Sequence, residues 1–233
     1  MTALKVVYVS EYLRTSEFIS NKESFVVYNA VSDVDTKKMV TQGQKAESLD
    51  AFQVLMACSL RRYKGVQEFF QIARVFRRNR NSKIKFVLVL NATRAQMEEY
   101  FLDCEIPDNV ELYSAQENME NFYLRANLLL NLSRVDSWIE TFGLTIVEAM
   151  SYSVPVIVPP VGGPLEIVRP GIDGYLVDSR DHIEIARLIE RLSLDQELWR
   201  YLARNARERS LYFGVDKFCA GINQVVFECK KSP

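Results

Sequence analysis

Glu140-Thr141-Phe142-Gly143-Leu144-Thr145-Ile146-Val147-Glu148 sets two carboxylates on either side of a glycine and the start of an apolar helical pattern. Leu144, Val147 and Met150 recur at helical spacing, which predicts a helix over residues 143–152 with these three side chains on one face. Glu140 then stands just before the helix and Glu148 about one and a half turns inside it. The free amides of Gly143, Leu144 and Thr145 form the positive end of that helix, and the glycine permits close approach. The chemistry implied is a diphosphate at the helix start, flanked by two acids that bind hydroxyl groups. Acids near helix starts also act simply as caps, so the neighbouring segments decide. A short apolar strand at 126–132 precedes the segment and another at 154–158 follows it, giving a strand, loop, helix, strand unit.

The same alternation extends outward in both directions. Strands are expected at 52–58, 85–90 and 109–113, followed by helices at 65–78, 94–102 and 118–124, and Tyr175–Val177 brings the total to about six strands. Runs of Val, Leu and Ile without polar alternation fit strands buried on both faces. The expected fold is α/β: a doubly wound, Rossmann-like parallel sheet with helices on both faces. Such sheets bind ligands beyond the carboxyl ends of their strands, where strand order switches. Gly143, Gly162, Gly163, Gly171 and Gly174 crowd that edge in a chain of only nine glycines. Helices at 182–192, 195–208 and 215–229 close the chain, with Leu198, Leu202, Phe218 and Val225 as apolar faces and Phe213 just ahead of the last. The polar stretch Ser32–Asp50 is the expected linker, and Leu4–Val9 is a short apolar stretch at the start.

Composition narrows the function classes. With 233 residues and 48% apolar content the chain can bury one substantial core. A net charge of −1 gives no general attraction for nucleic acid. Cys58, Cys104, Cys219 and Cys229 lack paired or metal-type spacing and lie in or beside apolar stretches, so they read as small buried thiols in a reducing, cytoplasmic setting. No leader pattern opens the chain, and no apolar run approaches the roughly 18 residues that span a bilayer. The single histidine, His182, reads as a solvated residue at a helix start. With no second histidine, no Gly-x-Ser-x-Gly, no phosphate-binding Gly-x-x-x-x-Gly-Lys loop and no Gly-x-Gly-x-x-Gly, there is little basis for a serine or cysteine hydrolase, a nucleoside triphosphatase or a nicotinamide enzyme.

Two further segments fall after strands. Ser59-Leu60-Arg61-Arg62-Tyr63-Lys64-Gly65-Val66 sets Arg61, Arg62 and Lys64 at a strand end before a helix, where cations neutralise a diphosphate. The same segment also fits an ordinary solvated basic loop. Val161-Gly162-Gly163-Pro164-Leu165-Glu166-Ile167-Val168 enters a helix at Pro164, and its two glycines leave room for backbone amides to reach a ligand, or for a plain turn.

Taken in order, Lys64-Gly65, Glu140-x-Phe-Gly-Leu-x-x-x-Glu148, Ser-Val-Pro-Val at 153–156, Gly162-Gly163-x-x-Glu166 and Gly171-x-x-Gly174-Tyr-Leu-Val resemble the retaining family 4 glycosyltransferases. The likeness covers about residues 45–205 closely and the start weakly, through Val9–Leu13 and Val27–Val31. It implies the C-terminal, donor-binding half of a glycosyltransferase B fold, with residues 1–31 a remnant of the N-terminal domain and linker and 32–233 the nucleotide-sugar domain. By that resemblance Glu140 contacts donor sugar hydroxyls, Glu148 the ribose, and the amides after Phe142 a phosphate. Lys64 steadies the leaving diphosphate, and neither metal nor another cofactor is expected. The sequence departs from the family in three places. Cys58-Ser59 stand where Gly-Arg is usual, Ala30 replaces a linker glycine, and Asn91-Ala92 replace glycines after the second strand.

The activity implied is transfer of a hexose, with retention, from a nucleotide sugar of UDP or GDP type to a glycan or lipid-linked acceptor. A non-catalytic nucleotide-sugar-binding module that needs a separate acceptor domain is the alternative, and the same fold also accommodates epimerisation or phosphorolysis. The basic run Arg74, Arg77, Arg78, Arg80, Lys83 and Lys85 suits either solvent or the inner face of an anionic membrane carrying a lipid acceptor.

Overall fold

The computed structural model describes residues 5–17, 23–32, 34, 51–77 and 83–231, with side chains through Cys229. Most of the expected linker, together with Leu4, Arg78 and Arg80, lies outside the described residues. Two strands open the chain, β1 (Val6–Tyr8) and β2 (Ser24–Val26), joined through helix α1 (Glu11–Ser16) and paired in parallel. This small β-α-β unit was only partly legible, because each strand has three residues and neither carries a long apolar run.

The main sheet holds six parallel strands: β3 (Phe52–Ser59), β4 (Ile84–Asn91), β5 (Val110–Tyr113), β6 (Leu128–Leu130), β7 (Val156–Val158) and β8 (Gly174–Leu176). Their spatial order is β5-β4-β3-β6-β7-β8. The chain therefore builds outward from β3 in one direction, then returns to build from β6 in the other. β3 and β4 are in register from Phe52 opposite Ile84 to Ser59 opposite Asn91, whereas β3 meets β6 only at Val54–Leu128 and Leu55–Leu129. Past that short pairing the backbones diverge, and a crevice opens at the switch in strand order.

Alternate residues feed two separate cores, as the two-residue period of a strand requires. Val54, Met56, Phe86, Leu88, Leu128 and Leu130 enter the first core, with α2 (Val66–Arg77), α3 (Arg94–Tyr100) and α7 (His182–Leu194). Leu55, Val87, Val89, Leu129, Val156 and Val158 enter the second, with α4 (Glu120–Arg125), α5 (Leu144–Ser151) and α6 (Pro164–Ile167). α8 (Gln196–Ser210) reaches both, through Leu202 on one side and Ala206 on the other. The last helix is α9 (Val215–Lys231). The doubly wound α/β fold and its six strands are as the sequence indicates.

Several side chains depart from expectation. Phe218 is 36% exposed and Cys219 is exposed, because α9 packs over only part of its surface. His182 is half-buried with its Nε2 shielded and without a hydrogen-bond partner, instead of solvated. Leu144 is 42% exposed while Val147 and Met150 are fully buried, since the first turn of α5 projects past the sheet into the crevice.

Glu11, Tyr12 and Tyr28 are clamped against the six-stranded unit. Glu166 of α6 accepts from the amides of Glu11 and Tyr12 at 2.9 and 2.7 Å and from the Tyr28 hydroxyl at 2.9 Å. Arg209 donates to the carbonyls of Glu166 and Ile167, and the Tyr28 ring packs against Phe142 and Phe213. Burial, then the hydrogen bond to Glu166, push the Tyr28 phenol well above its ordinary range, so it remains a donor to that carboxylate.

Gly65 shows how tightly the crevice walls approach. It is left-handed at φ 83°, and a Cβ there would lie 2.1 Å from the Leu132 carbonyl oxygen. Gly65→Ala is expected to destabilise the domain by about 2–4 kcal/mol, through backbone strain and forced separation of the loops. Urea unfolding followed by circular dichroism measures this; an unchanged midpoint would show that the loops separate freely.

Candidate functional site

The crevice is walled by the loops that leave β3 and β6 and is closed by the start of α5. Its cavity of about 210 Å³ is lined by Cys58, Ser59 and Lys64 on the β3 side, by Asn131, Ser133 and Glu140 on the β6 side, and by Gly143, Leu144 and Thr145. Of the candidate residues, Lys64, Glu140, Gly143, Leu144 and Thr145 line one cavity, whereas Glu148 lines a second.

Lys64 ends a single 3-10 turn, Arg62–Lys64, directly after β3. Its ammonium pairs with the Glu140 carboxylate, which also accepts from the Ser133 hydroxyl at 2.9 Å. Each side chain of the ion pair is only 16% exposed. A bound anion would therefore draw Lys64 away from a poorly hydrated partner, and polar groups of the same ligand would have to satisfy Glu140. Arg61 and Arg62 are exposed and do not line the cavity. Among the described residues that do, Lys64 is the single cation.

The backbone of α5 presents the other cationic element. Gly143 is left-handed at φ 101° and no side chain caps the helix. The Phe142 side chain instead faces away from the cavity, buried in the second core against Tyr28 and Phe213. It anchors the loop, so the following amides are held at the cavity wall.

Gly162 and Gly163 act on this loop from behind. A Cβ on Gly162 would lie 2.5 Å from the Glu140 carbonyl oxygen, and one on Gly163 would lie 2.5 Å from the Phe142 Cα. The Gly163 amide donates to the Glu140 carbonyl at 2.8 Å. These glycines thus hold the Glu140 loop by close backbone packing, and the Gly163 amide is spent within the protein. Sequence spacing could not separate this role from ligand contact, since both require a missing side chain.

Glu148 opens onto a second cleft of about 560 Å³, with Val31, Ser32, Glu117, Asn118 and Tyr123 among its walls. The Tyr123 hydroxyl donates to the Glu148 carboxylate at 2.6 Å. Burial foremost, then the Glu148 charge, hold the Tyr123 phenol well above its ordinary range, which keeps this donor protonated. Thr145 and Glu148 are three residues apart, about 4.5 Å along the helix axis, so the two clefts flank successive parts of one helical turn. Tyr123 was missed by the sequence reading; an aromatic on a short helix carries no signal until its partner is placed.

Cys58 also faces the first cavity but is no candidate nucleophile. Burial pushes its thiol up to about 12 despite nearby Lys64. No group of three or more metal-ligating side chains occurs among the described residues. The basic run is partly engaged: Arg74 donates to the Glu105 carbonyl, and Arg77 pairs with Glu105 and Asp108. No helix among the described residues is long and apolar enough to cross a membrane.

A switch-point crevice holding a lysine, a carboxylate and an open helix start is the setting in which known relatives become informative. Residues 39–209 match the family described as Glycosyl transferases group 1, and the chain belongs to that family. It is 28% identical over 198 residues to an N-acetyl-alpha-D-glucosaminyl L-malate synthase of Bacillus anthracis, covering 81% of this chain and 49% of the relative. A D-inositol 3-phosphate glycosyltransferase of Salinispora arenicola is 33% identical over 125 residues, 53% of this chain and 27% of its own length. The chain thus spans about half or less of these relatives.

Among solved structures, Anabaena HepE, determined in complex with UDP and glucose, superposes with a TM-score of 0.77 at 20% identity, covering 99% of this chain and 64% of that one. The C-terminal domain of the Francisella tularensis group 1 glycosyltransferase LpcC superposes at 0.60 and 21% identity, covering 78% of this chain and 99% of that domain. The fold is that of the C-terminal domain of a glycosyltransferase B enzyme.

Thiol reactivity checks the cavity chemistry. Under native conditions at pH 8, iodoacetamide is expected to alkylate exposed Cys219 well before Cys58, because only the thiolate reacts. Mass spectrometry of timed digests reads the order, and faster labelling of Cys58 would contradict the burial described.

Proposed function

We propose that this chain is the donor-binding domain of a retaining hexosyltransferase, with a nucleoside diphosphate sugar of UDP or GDP type as donor and a glycan or lipid-linked molecule as acceptor. The observation that carries the reading is the convergence of Lys64, Glu140 and the open start of α5 on one cavity, with Glu148 in the next cleft one turn along. A diphosphate takes the amides of Gly143, Leu144 and Thr145 together with the Lys64 ammonium. Glu140 then receives hydroxyls of the donor sugar, and Glu148 those of the ribose. As the bond from the sugar to the diphosphate breaks, negative charge collects on the phosphates, where the lysine and helix dipole stabilise it most.

In this reading residues 1–31 belong with an acceptor-side domain and residues 32–233 with the donor domain. A lipid-linked acceptor would bring the protein to the inner, cytoplasmic face of a membrane. The alternative is a nucleotide-sugar-binding module that needs a separate acceptor domain.

Calorimetric titration with UDP, GDP and ADP tests the donor reading. One nucleotide is expected to bind selectively, and Glu148→Ala to weaken it by about 10- to 100-fold, the loss of hydrogen bonds to a charged group. Equal binding by wild type and variant would remove Glu148 from the site.

Glu140→Gln, assayed for transfer and for nucleotide binding, separates the two carboxylates. It is expected to lower transfer at least about tenfold while leaving nucleotide affinity within about threefold, because it touches the sugar and not the nucleoside. Full transfer by that variant would contradict the role given to Glu140.

A further inference from the structure

Two aromatic rings stand directly beside the Lys64–Glu140 pair, outside the cavity lining. Tyr63 and Trp138 stack with centroids 5.0 Å apart and planes 20° from parallel. The Lys64 ammonium lies 5.8 Å from the Tyr63 centroid and 5.4 Å from that of Trp138. Tyr63 is the chain neighbour of Lys64, while Trp138 lies two residues before Glu140, so each wall of the crevice contributes one ring.

The loop bearing Trp138 is braced in this position. The Arg134 amide donates to the Tyr63 carbonyl and the Trp138 amide to the Arg134 carbonyl, both at 2.8 Å. The Arg134 guanidinium pairs with Asp136 at 3.0 Å and approaches Glu68 of α2 at 3.7 Å, and Arg180 approaches Asp136 at 3.7 Å. Besides bringing a cation toward Glu68, which is buried on α2, these contacts lie within the loops around the crevice. Their common effect is to fix the indole against Tyr63 beside Lys64, although 42% of Trp138 remains exposed.

Resting on the donor-site reading, we infer that Trp138 and Tyr63 are positioning residues that hold the Lys64 ammonium for the β-phosphate of a bound nucleoside diphosphate. Lys64 is held by Glu140 and by the two rings together. When a ligand's hydroxyls take Glu140, that carboxylate no longer fixes the lysine, whereas the ring faces still attract a cation. The aromatic pair therefore keeps the cavity's single described cation from swinging into water as it exchanges partners. A long lysine side chain otherwise loses much of its rotamer freedom on being fixed there, and the rings pre-organise it before the ligand arrives.

The test compares nucleoside diphosphate with monophosphate, because only the diphosphate presents the second phosphate. UDP and UMP, GDP and GMP, and ADP and AMP are titrated calorimetrically into wild type, Trp138→Ala, Trp138→Phe and Lys64→Met. For the nucleotide that binds, Trp138→Ala is expected to reduce the diphosphate-to-monophosphate affinity ratio about three- to tenfold, and Trp138→Phe to restore most of it. Lys64→Met should abolish the ratio's dependence on residue 138.

Fluorescence supplies a readout that a structural role would not move. The chain has two tryptophans, Trp138 and Trp199, so Trp199→Phe leaves Trp138 as the sole indole. Its emission is expected to change saturably with diphosphate and far less with monophosphate. Tyr63→Leu serves as a second variant and should lower the affinity ratio in the same direction. An unchanged ratio in Trp138→Ala, or equal weakening of diphosphate and monophosphate, overturns the inference and leaves the donor site standing. Failure of the folded wild type to bind any of the six nucleotides overturns both.

Discussion

Two loops can form one site here only because their backbones pass at distances that exclude a Cβ atom. Gly65 rests against the Leu132 carbonyl on one side of the crevice, and Gly162 and Gly163 rest against residues 139–142 on the other. These contacts draw the turn carrying Lys64 and the loop carrying Glu140 toward each other across the short β3–β6 pairing. The ion pair follows from this approach. So does the placement of Phe142, whose burial against Tyr28 and Phe213 fixes where α5 begins and hence where its free amides point.

The sheet supplies the rest of the geometry through strand order alone. Both β3 and β6 end at the switch, so the loops after them diverge and leave a cavity instead of a packed surface. Opposing charge then organises the crevice. Lys64 and Glu140 satisfy one another, and Glu148 is held by Tyr123 in the adjacent cleft. In the proposed reading, phosphate takes the place of Glu140 on Lys64, and ligand hydroxyls take the places of the Lys64 ammonium on Glu140 and of the Tyr123 hydroxyl on Glu148. Such exchange limits the desolvation cost of binding and favours that ligand over a purely apolar or purely anionic one.

Much of this was legible from the sequence, for a physical reason. A strand buried on both faces needs a continuous apolar run, and the runs at 52–58, 85–90 and 126–132 leave few other solutions. The helix after Gly143 announces itself by spacing, Lys64 by its place after a strand, and Glu140 by its place just before that helix. What the sequence left open depends on pairings between distant segments. Glycine is equally suited to ligand approach and to loop packing, so only coordinates separate the buttressing role of Gly162 and Gly163 from contact with phosphate. Tyr123, the clamp of Glu166 on residues 11, 12 and 28, and the stack of Tyr63 on Trp138 join residues too far apart in sequence for any periodic pattern. Leu144 is a further case: helical spacing places it with Val147 and Met150, but the helix end extends past the sheet and exposes it.

In the proposed donor site the start of α5 and Lys64 recognise phosphate, while the nucleoside occupies the cleft beside Glu148. Amide-resolved NMR of the labelled chain during addition of the nucleotide that binds tests it most directly. The largest shifts are expected at the backbone amides of Gly143, Leu144 and Thr145, with a second set around Glu117, Asn118 and Glu148. Saturable shifts confined to another face, with those amides unmoved, would contradict it.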